Sequence, residues 1–115
     1  MKIAIIGSRT FNNYSKVKTI LDKLHSKKAV SFIISGGAKG ADSLGEKWAN
    51  ENSVETIIFY PNWDLHGKKA GFIRNNLIIK ECDFSIAFWD SISKGTKHSI
   101  DLCKKLKKEC FIIYF

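Results

Sequence analysis

A chain of 115 residues, 44% of them apolar, has the material for one core and one domain, residues 1–115, and none for a second. Its 19 Lys and Arg against 11 Asp and Glu give a net charge of +8, a balance that favours polyanionic partners. The apolar run in MKIAIIGSRT is too short for the centre of a signal peptide and no segment reaches the ~20 apolar residues of a membrane span, so the expectation is a cytoplasmic chain with no membrane partner.

Residues 2–7, KIAIIG, are mainly β-branched and end in glycine, the pattern of a strand buried on both faces of a parallel sheet. From Tyr14 onward Val17, Ile20, Leu21 and Leu24 recur at the i, i+3, i+4, i+7 spacing of a helix with one buried stripe, its lysines facing water. SFIIS, residues 31–35, reads as the second strand, and Asp42 to about Asn52 as the second helix, with Leu44, Gly45 and Trp48 on one face. ETIIFY, residues 55–60, is a third strand closed by Pro61. A polar loop, NWDLHGKK, leads into a third helix from about Lys69 to Glu81. DFSIAFW is strand four, DSISKGT a loop, Thr96 to Lys108 a helix, and CFIIYF strand five. Five apolar strands alternating with four helices predict an α/β, Rossmann-like three-layer fold. Each parallel connection must return through a right-handed helical crossover, which gives a five-stranded parallel sheet of expected order 3-2-1-4-5.

Such sheets bind ligands beyond the carboxyl ends of their strands, near the point where the strand order reverses. That rule selects GSRTF after strand one, SGGAKGAD after strand two, YPNWDLHG after strand three and FWDSISKGT after strand four. In the second loop, Gly36, Gly37 and Gly40 precede a helix, so the backbone is free to adopt positive φ and to offer amides at the positive end of the helix dipole. The loop is either a tight turn or a phosphate cradle. Its spacing matches neither G-x-G-x-x-G nor the Walker A pattern, so the usual dinucleotide and ATP-hydrolysis motifs are absent. Gly95 and Thr96 stand at the start of another helix after a buried strand, and Gly7, Ser8 and Arg9 lie on the adjoining first loop. With Ser35, these residues make a two-walled anion site in which Arg9 can offer a planar, two-pronged contact to phosphate.

Other residues carry two readings each. Arg74 and Asn75, in AGFIRNN, are surface positions or project into the cleft from a helix entered off strand three. Trp63 and Trp89 are buried for their area or stack on a nucleobase, whereas Trp48 reads as core. Asp42 complements free amides at a helix start, and Asp90 is a turn residue or a partner for ribose hydroxyls. Cys82, Cys103 and Cys110 are odd in number and unpaired in spacing, which fits reduced thiols acting as small apolar residues. His25, His66 and His98 have no metal spacing, and only His98 falls near the site. No metal or cofactor is expected.

The segments IIGSRTF, ISGGAKGADSLGEKWA, YPNWDLHGKKAGFIRN and IAFWDSISKGTKHSI, in this order over almost the whole chain, closely resemble the YspA-like branch of the SLOG superfamily, named for Smf/DprA and the lonely guy proteins. The resemblance implies a Rossmann-like domain that binds a nucleotide or nucleotide-derived ligand over its glycine-rich loops. It also implies one of three jobs: cleaving nucleotides, sensing or sequestering nucleotide signals, or binding single-stranded DNA. Lonely guy phosphoribohydrolases carry a PGGxGTxxE loop and an arginine in a preceding helix. Arg74 looks like that arginine and Gly95-Thr96 like the glycine–threonine pair, but the glutamate position holds Ser99, which cannot serve as a carboxylate acid or base.

The leading expectation is therefore a non-catalytic domain that binds a phosphorylated nucleotide or nucleotide-derived signal, as a sensor or sequestering protein. Ser35, Gly36, Gly37, Gly40, Gly95 and Thr96 would hold phosphate, Arg9 and Arg74 would neutralise it, and Trp63 or Trp89 would stack on the base. One alternative is a nucleotide N-glycosidic hydrolase in which Asp42, Asp90 or His98 stands in for the glutamate. A second is DprA-like binding of single-stranded DNA. Residues 16–28 carry five lysines and one aspartate, and residues 94–109 six lysines, one aspartate and one glutamate. The expected strand order sets these two segments on opposite faces of the sheet, so any nucleic-acid binding is expected to be weak and nonspecific. Related domains pair through helices, which makes a homo-oligomer an option for this chain.

Overall fold

Ile3, Ala4 and Ile5 are completely buried because the first strand has a neighbour on each side and a helical layer on each face. The computed structural model describes residues 1–115. Its elements are β1 (Lys2–Gly7), α1 (Tyr14–Lys27), β2 (Phe32–Ser35), α2 (Ala41–Glu51), β3 (Glu55–Ile58), α3 (Trp63–His66), α4 (Ala70–Glu81), β4 (Phe84–Trp89), α5 (Lys94–Lys105) and β5 (Glu109–Tyr114). All strand pairs are parallel, and the order is β3-β2-β1-β4-β5, as the alternation predicts.

The period-two alternation of β1 divides the interior. Ile3 and Ile5 pack with Ile33, Val17, Leu21 and Trp48, so α1 and α2 cover one face. Ala4 and Ile6 pack with Ile34, Ile78, Ile79 and Ile100, so α4 and α5 cover the other. The two lysine-rich segments lie on opposite faces accordingly. Trp48 is fully buried and satisfied, its indole Nε1 donating to Asp22 Oδ1 at 2.9 Å. Cys82 and Cys103 are buried and Cys110, on β5, is half-buried; all three are free thiols on the α4/α5 side of the sheet. No helix is long and apolar enough to cross a membrane.

Several boundaries differ from the sequence reading, each for a local reason. NWDLHGKK is not a plain loop: Asn62 accepts the Leu65 amide at 3.1 Å and starts α3, and a 3-10 turn, Gly67–Lys69, joins it to α4. The last helix begins at Lys94, not Thr96, because Ser93 caps it by accepting the Thr96 amide. It ends at Lys105, not Lys108, where Lys107 turns the chain in the left-handed region at φ 56°. β3 stops at Ile58, two residues before the predicted end, as the chain approaches Pro61.

Helix α2 lies directly on β1 through Gly45. A Cβ at that position would stand 2.8 Å from Ile5 Cβ, closer than packed carbons tolerate. Gly45→Val is therefore expected to destabilise the fold by about 1–3 kcal/mol through overpacking, read as a lower urea midpoint with an unchanged slope.

Candidate functional site

The strand order reverses between β1 and β4, and a cavity of about 90 Å³ opens there beyond the carboxyl ends of the strands. Gly7 and Arg9 border it from the β1 loop, Ala38 and Asp42 from the β2–α2 connection, and Arg74, Asn75 and Ile78 from α4. Ser93, Gly95, Thr96 and Ser99 close it from the start of α5. Sequence-predicted residues from the first, second and fourth loops and from α4 thus converge, while the loop after β3 contributes none. The space is about that of a single phosphate group, well short of the several hundred Å³ of a cavity that encloses a whole small molecule.

Three amides of the glycine-rich loop are already engaged within the protein. Gly36 N and Ala38 N donate to Asp42 Oδ2 at 2.9 and 3.3 Å, and Gly37 N donates to Ser35 Oγ at 3.0 Å. Ser35 Oγ in turn donates to Glu46 Oε2 at 2.6 Å. The expected role of Asp42 is corrected here: its carboxylate holds the amides of the preceding loop instead of those of its own helix. Gly40, at φ 80°, lies against the backbone of Ser8 and Arg9 and so joins the first two loops. Gly37, at φ 71°, faces the Tyr60 ring, whose Cε1 would be 2.5 Å from a Cβ at this position. A side chain at 37 would displace Tyr60, so Gly37 has a packing reason to be glycine that is separate from any ligand.

Arg74 is half-buried and donates through Nη1 to Gly36 O at 2.6 Å and through Nε to Asn75 Oδ1 at 3.0 Å. Its Nη2 has no protein partner, and the guanidinium makes no ion pair. Burial lowers its pKa below the ordinary arginine value; Asp42 opposes this effect and the charge of Arg9 adds to it. Arg9 is exposed and makes no hydrogen bond. Two arginines therefore face one small cavity with mutual repulsion and no carboxylate bonded to either, an arrangement that a bound anion relieves.

Helix α5 supplies the opposite wall. The amides of Lys94 and Gly95, its first two residues, have no acceptor, whereas Thr96 N is capped by Ser93 Oγ. Nothing lies within 4 Å of the place a Cβ would take at Gly95. Ser99 is buried and borders the cavity. Asn75 Nδ2 bridges α4 to α5, reaching Gly95 O at 3.5 Å and His98 Nδ1 at 3.2 Å. Burial lowers the His98 pKa, against a smaller pull from Asp101, so the ring is neutral at pH 7 and Nδ1 can accept.

The remaining predicted residues have other surroundings. Ser8 is buried and its hydroxyl accepts the Asp90 amide. Asp90 Oδ1 accepts Ile92 N and Ser93 N at 2.9 and 2.8 Å, a turn role, and these amides hold its pKa below the carboxylate norm. Trp89 donates through Nε1 to Ser93 O at 3.1 Å and packs beside Tyr114, which fixes the residue that caps α5. Trp63 is exposed at the start of α3. Neither indole borders the cavity. Tyr60, absent from the sequence expectations, is the aromatic residue beside the glycine loop.

The family described as YspA, cpYpsA-related SLOG (YAcAr) matches residues 1–66, from β1 to the end of α3. Over 111 residues the chain is 32% identical to the gene 61 protein of Mycobacterium phage D29, covering 90% of this chain and 89% of the phage protein. The chain belongs to the YspA, cpYpsA-related SLOG family. Among solved structures it is similar to DNA processing protein A of Helicobacter pylori, described for its single-stranded DNA binding mode, with a TM-score of 0.76 and 25% identity. It is similar also to DNA processing protein A (DprA) of Streptococcus pneumoniae, with a TM-score of 0.80 and 20% identity. These alignments cover 97% and 96% of this chain but 64% and 49% of the two DprA chains, so this SLOG domain spans between half and two thirds of their length.

Asp42 gives the SLOG site a pH dependence. Burial raises its pKa from 3.8 to about 6, against the two loop amides and Arg74. The folded chain then holds the proton more tightly than the unfolded one, so ionisation removes stability as pH rises from 3.8 towards 6, and the loss is complete above that window. Asp42→Asn keeps an oxygen for the loop amides without the buried charge. It is expected to stabilise the protein by about 1–3 kcal/mol at about pH 8, with the difference vanishing below about pH 4, as measured by thermal unfolding. An unchanged or lower Tm at the higher pH would mean that the charged carboxylate is required to hold Arg74.

Proposed function

We propose that the chain binds a phosphorylated nucleotide or nucleotide-derived signal, with one phosphate group held between Arg9, Arg74 and the first amides of α5. The observation that carries this reading is the half-buried Arg74, whose guanidinium has no carboxylate bonded to it and an unpartnered Nη2, on the border of a cavity of phosphate size. A half-buried cation whose burial is offset only by the field of Asp42 is costly, and a dianionic phosphate supplies further counter-charge with acceptors for Arg9, Arg74 and the Gly95 amide. The start of α5 adds its dipole to the same point. Membership of the SLOG family and the DprA fold neighbours support nucleotide or DNA binding in general.

The second reading is single-stranded DNA, with an internucleotide phosphate in the same cavity. The single-stranded DNA binding described for the Helicobacter pylori neighbour favours it, as does the net charge of +8. Against it, the lysine-rich helices α1 and α5 cover opposite faces and form no single track. The protein's role on this account is to hold the ligand without cleaving it, since Ser99 stands where the phosphoribohydrolase glutamate would.

Two substitutions separate a ligand role from a structural one. Arg9→Ala removes a side chain that bonds nothing in the protein, and is expected to weaken nucleoside monophosphate binding by about 10- to 100-fold without changing Tm. Gly95→Ala meets no neighbour and is expected to leave Tm unchanged or raise it, while affinity falls because the added methyl stands where the phosphate approaches its amide. Calorimetry with nucleoside monophosphates and a single-stranded oligodeoxynucleotide reads both. Undiminished affinity in both variants would remove the cavity from the binding site. Tight, salt-resistant binding of the oligonucleotide alone would favour the DNA reading.

A further inference from the structure

A second cavity, of about 110 Å³, lies on the other side of Arg74, between the end of β3 and α4. Tyr60, Asn62, His66, Ile73, Arg74 and Leu77 border it. We propose that this cleft is the nucleobase subsite of the ligand whose phosphate occupies the first cavity, with Tyr60 as the stacking platform; the inference rests on the phosphate reading above.

Arg74 alone borders both cavities, so a ligand with its phosphate on one side and its base on the other spans one side chain, the span of a single nucleotide. The Tyr60 ring rests against Gly37, near Ile58 at the end of β3, and the residue is still 69% exposed. An aromatic ring backed by the sheet and open to the outside is a stacking surface that every base can use. Ile73 and Leu77, one turn apart on α4, make an apolar wall across from it. The polar atoms needed to read a base edge are present and unspent. Asn62 uses only its Oδ1, for the Leu65 amide, while the His66 ring bonds nothing in the protein. The absence of a side chain at Gly37 serves this arrangement directly, since any Cβ there would push the ring out of the cleft. A wider groove between α4 and α5, bordered by Lys69, Phe72, His98 and Lys105, also presents an aromatic ring, but Arg74 does not border it.

Calorimetry with adenosine and guanosine 5′-monophosphate, and with ribose 5-phosphate as the ligand that lacks a base, tests the assignment. Tyr60→Ala is expected to weaken the monophosphates by about 5- to 100-fold and to leave ribose 5-phosphate unchanged, whereas Tyr60→Phe keeps the wild-type affinity within a few-fold. Phe72→Ala is expected to change neither. Monophosphate affinity that survives Tyr60→Ala, an equal loss for ribose 5-phosphate, or a base-dependent loss in Phe72→Ala would overturn the subsite and leave the phosphate reading standing. Failure of the wild-type protein to bind any of the three ligands would overturn both.

Discussion

The peptide group of Gly36 is gripped from both sides. Its N–H donates to the buried carboxylate of Asp42, and its carbonyl accepts from the guanidinium of Arg74. A Cβ here would stand 2.5 Å from Arg74 Nη1 and 2.9 Å from Asp42 Oδ2, so only glycine leaves both partners in place. This one peptide connects the end of β2 to the first turn of α2 on one face of the sheet and to α4 on the other. It also explains how a carboxylate tolerates 6% exposure beside an anion site: two loop amides and the field of Arg74 offset part of the burial cost, and the rest appears as a pKa near 6. Asp42 satisfies the loop from inside, as a phosphate would from outside. The loop's order therefore does not depend on a ligand.

That clamp fixes where the ligand charge must go. With Arg74 tethered through Nη1 and Nε, Nη2 is left unpartnered on a residue that borders the cavity between β1 and β4, where Arg9 and Gly95, with its free amide, also lie. Positive potential is concentrated at one small opening, while the lysines of α1 and α5 spread theirs over two faces. The first kind of charge recognises a group; the second raises the encounter rate with polyanions and is screened by salt.

Much of the fold was legible because its signals are local or periodic. KIAIIG and DFSIAFW could hardly be other than buried strands, and the stripe of Val17, Ile20, Leu21 and Leu24 could only face a core. Helix α3 was hidden because four residues of mixed polarity carry no periodicity, and the cap at Ser93 was masked by the more conspicuous glycine two residues later. Arg9, Arg74, Asn75 and the Gly95-Thr96 corner border one cavity, whereas the loop after β3 lies beside a different one. What the loop amides bond was not legible, since SGGAKGAD reads the same whether those amides meet phosphate or Asp42, and the choice is made by how deeply α2 packs on β1. The aromatic residue beside the loop is inconspicuous in the sequence for a related reason. Trp63 and Trp89 stand out by size, but the chain leaves the β3 edge at Tyr60, and it is the ring at that turn that rests on Gly37.

Ligand phosphate belongs, on this reading, between Arg74 and α5, with Asp42 keeping the glycine loop. A crystal structure of the protein with a bound nucleoside monophosphate decides the point. Phosphate oxygens are expected within hydrogen-bond distance of Arg74 Nη2 and Gly95 N, with Gly36 N and Ala38 N still on Asp42. A phosphate seated on the amides of Gly36 and Ala38, with the Asp42 carboxylate displaced, would overturn this placement.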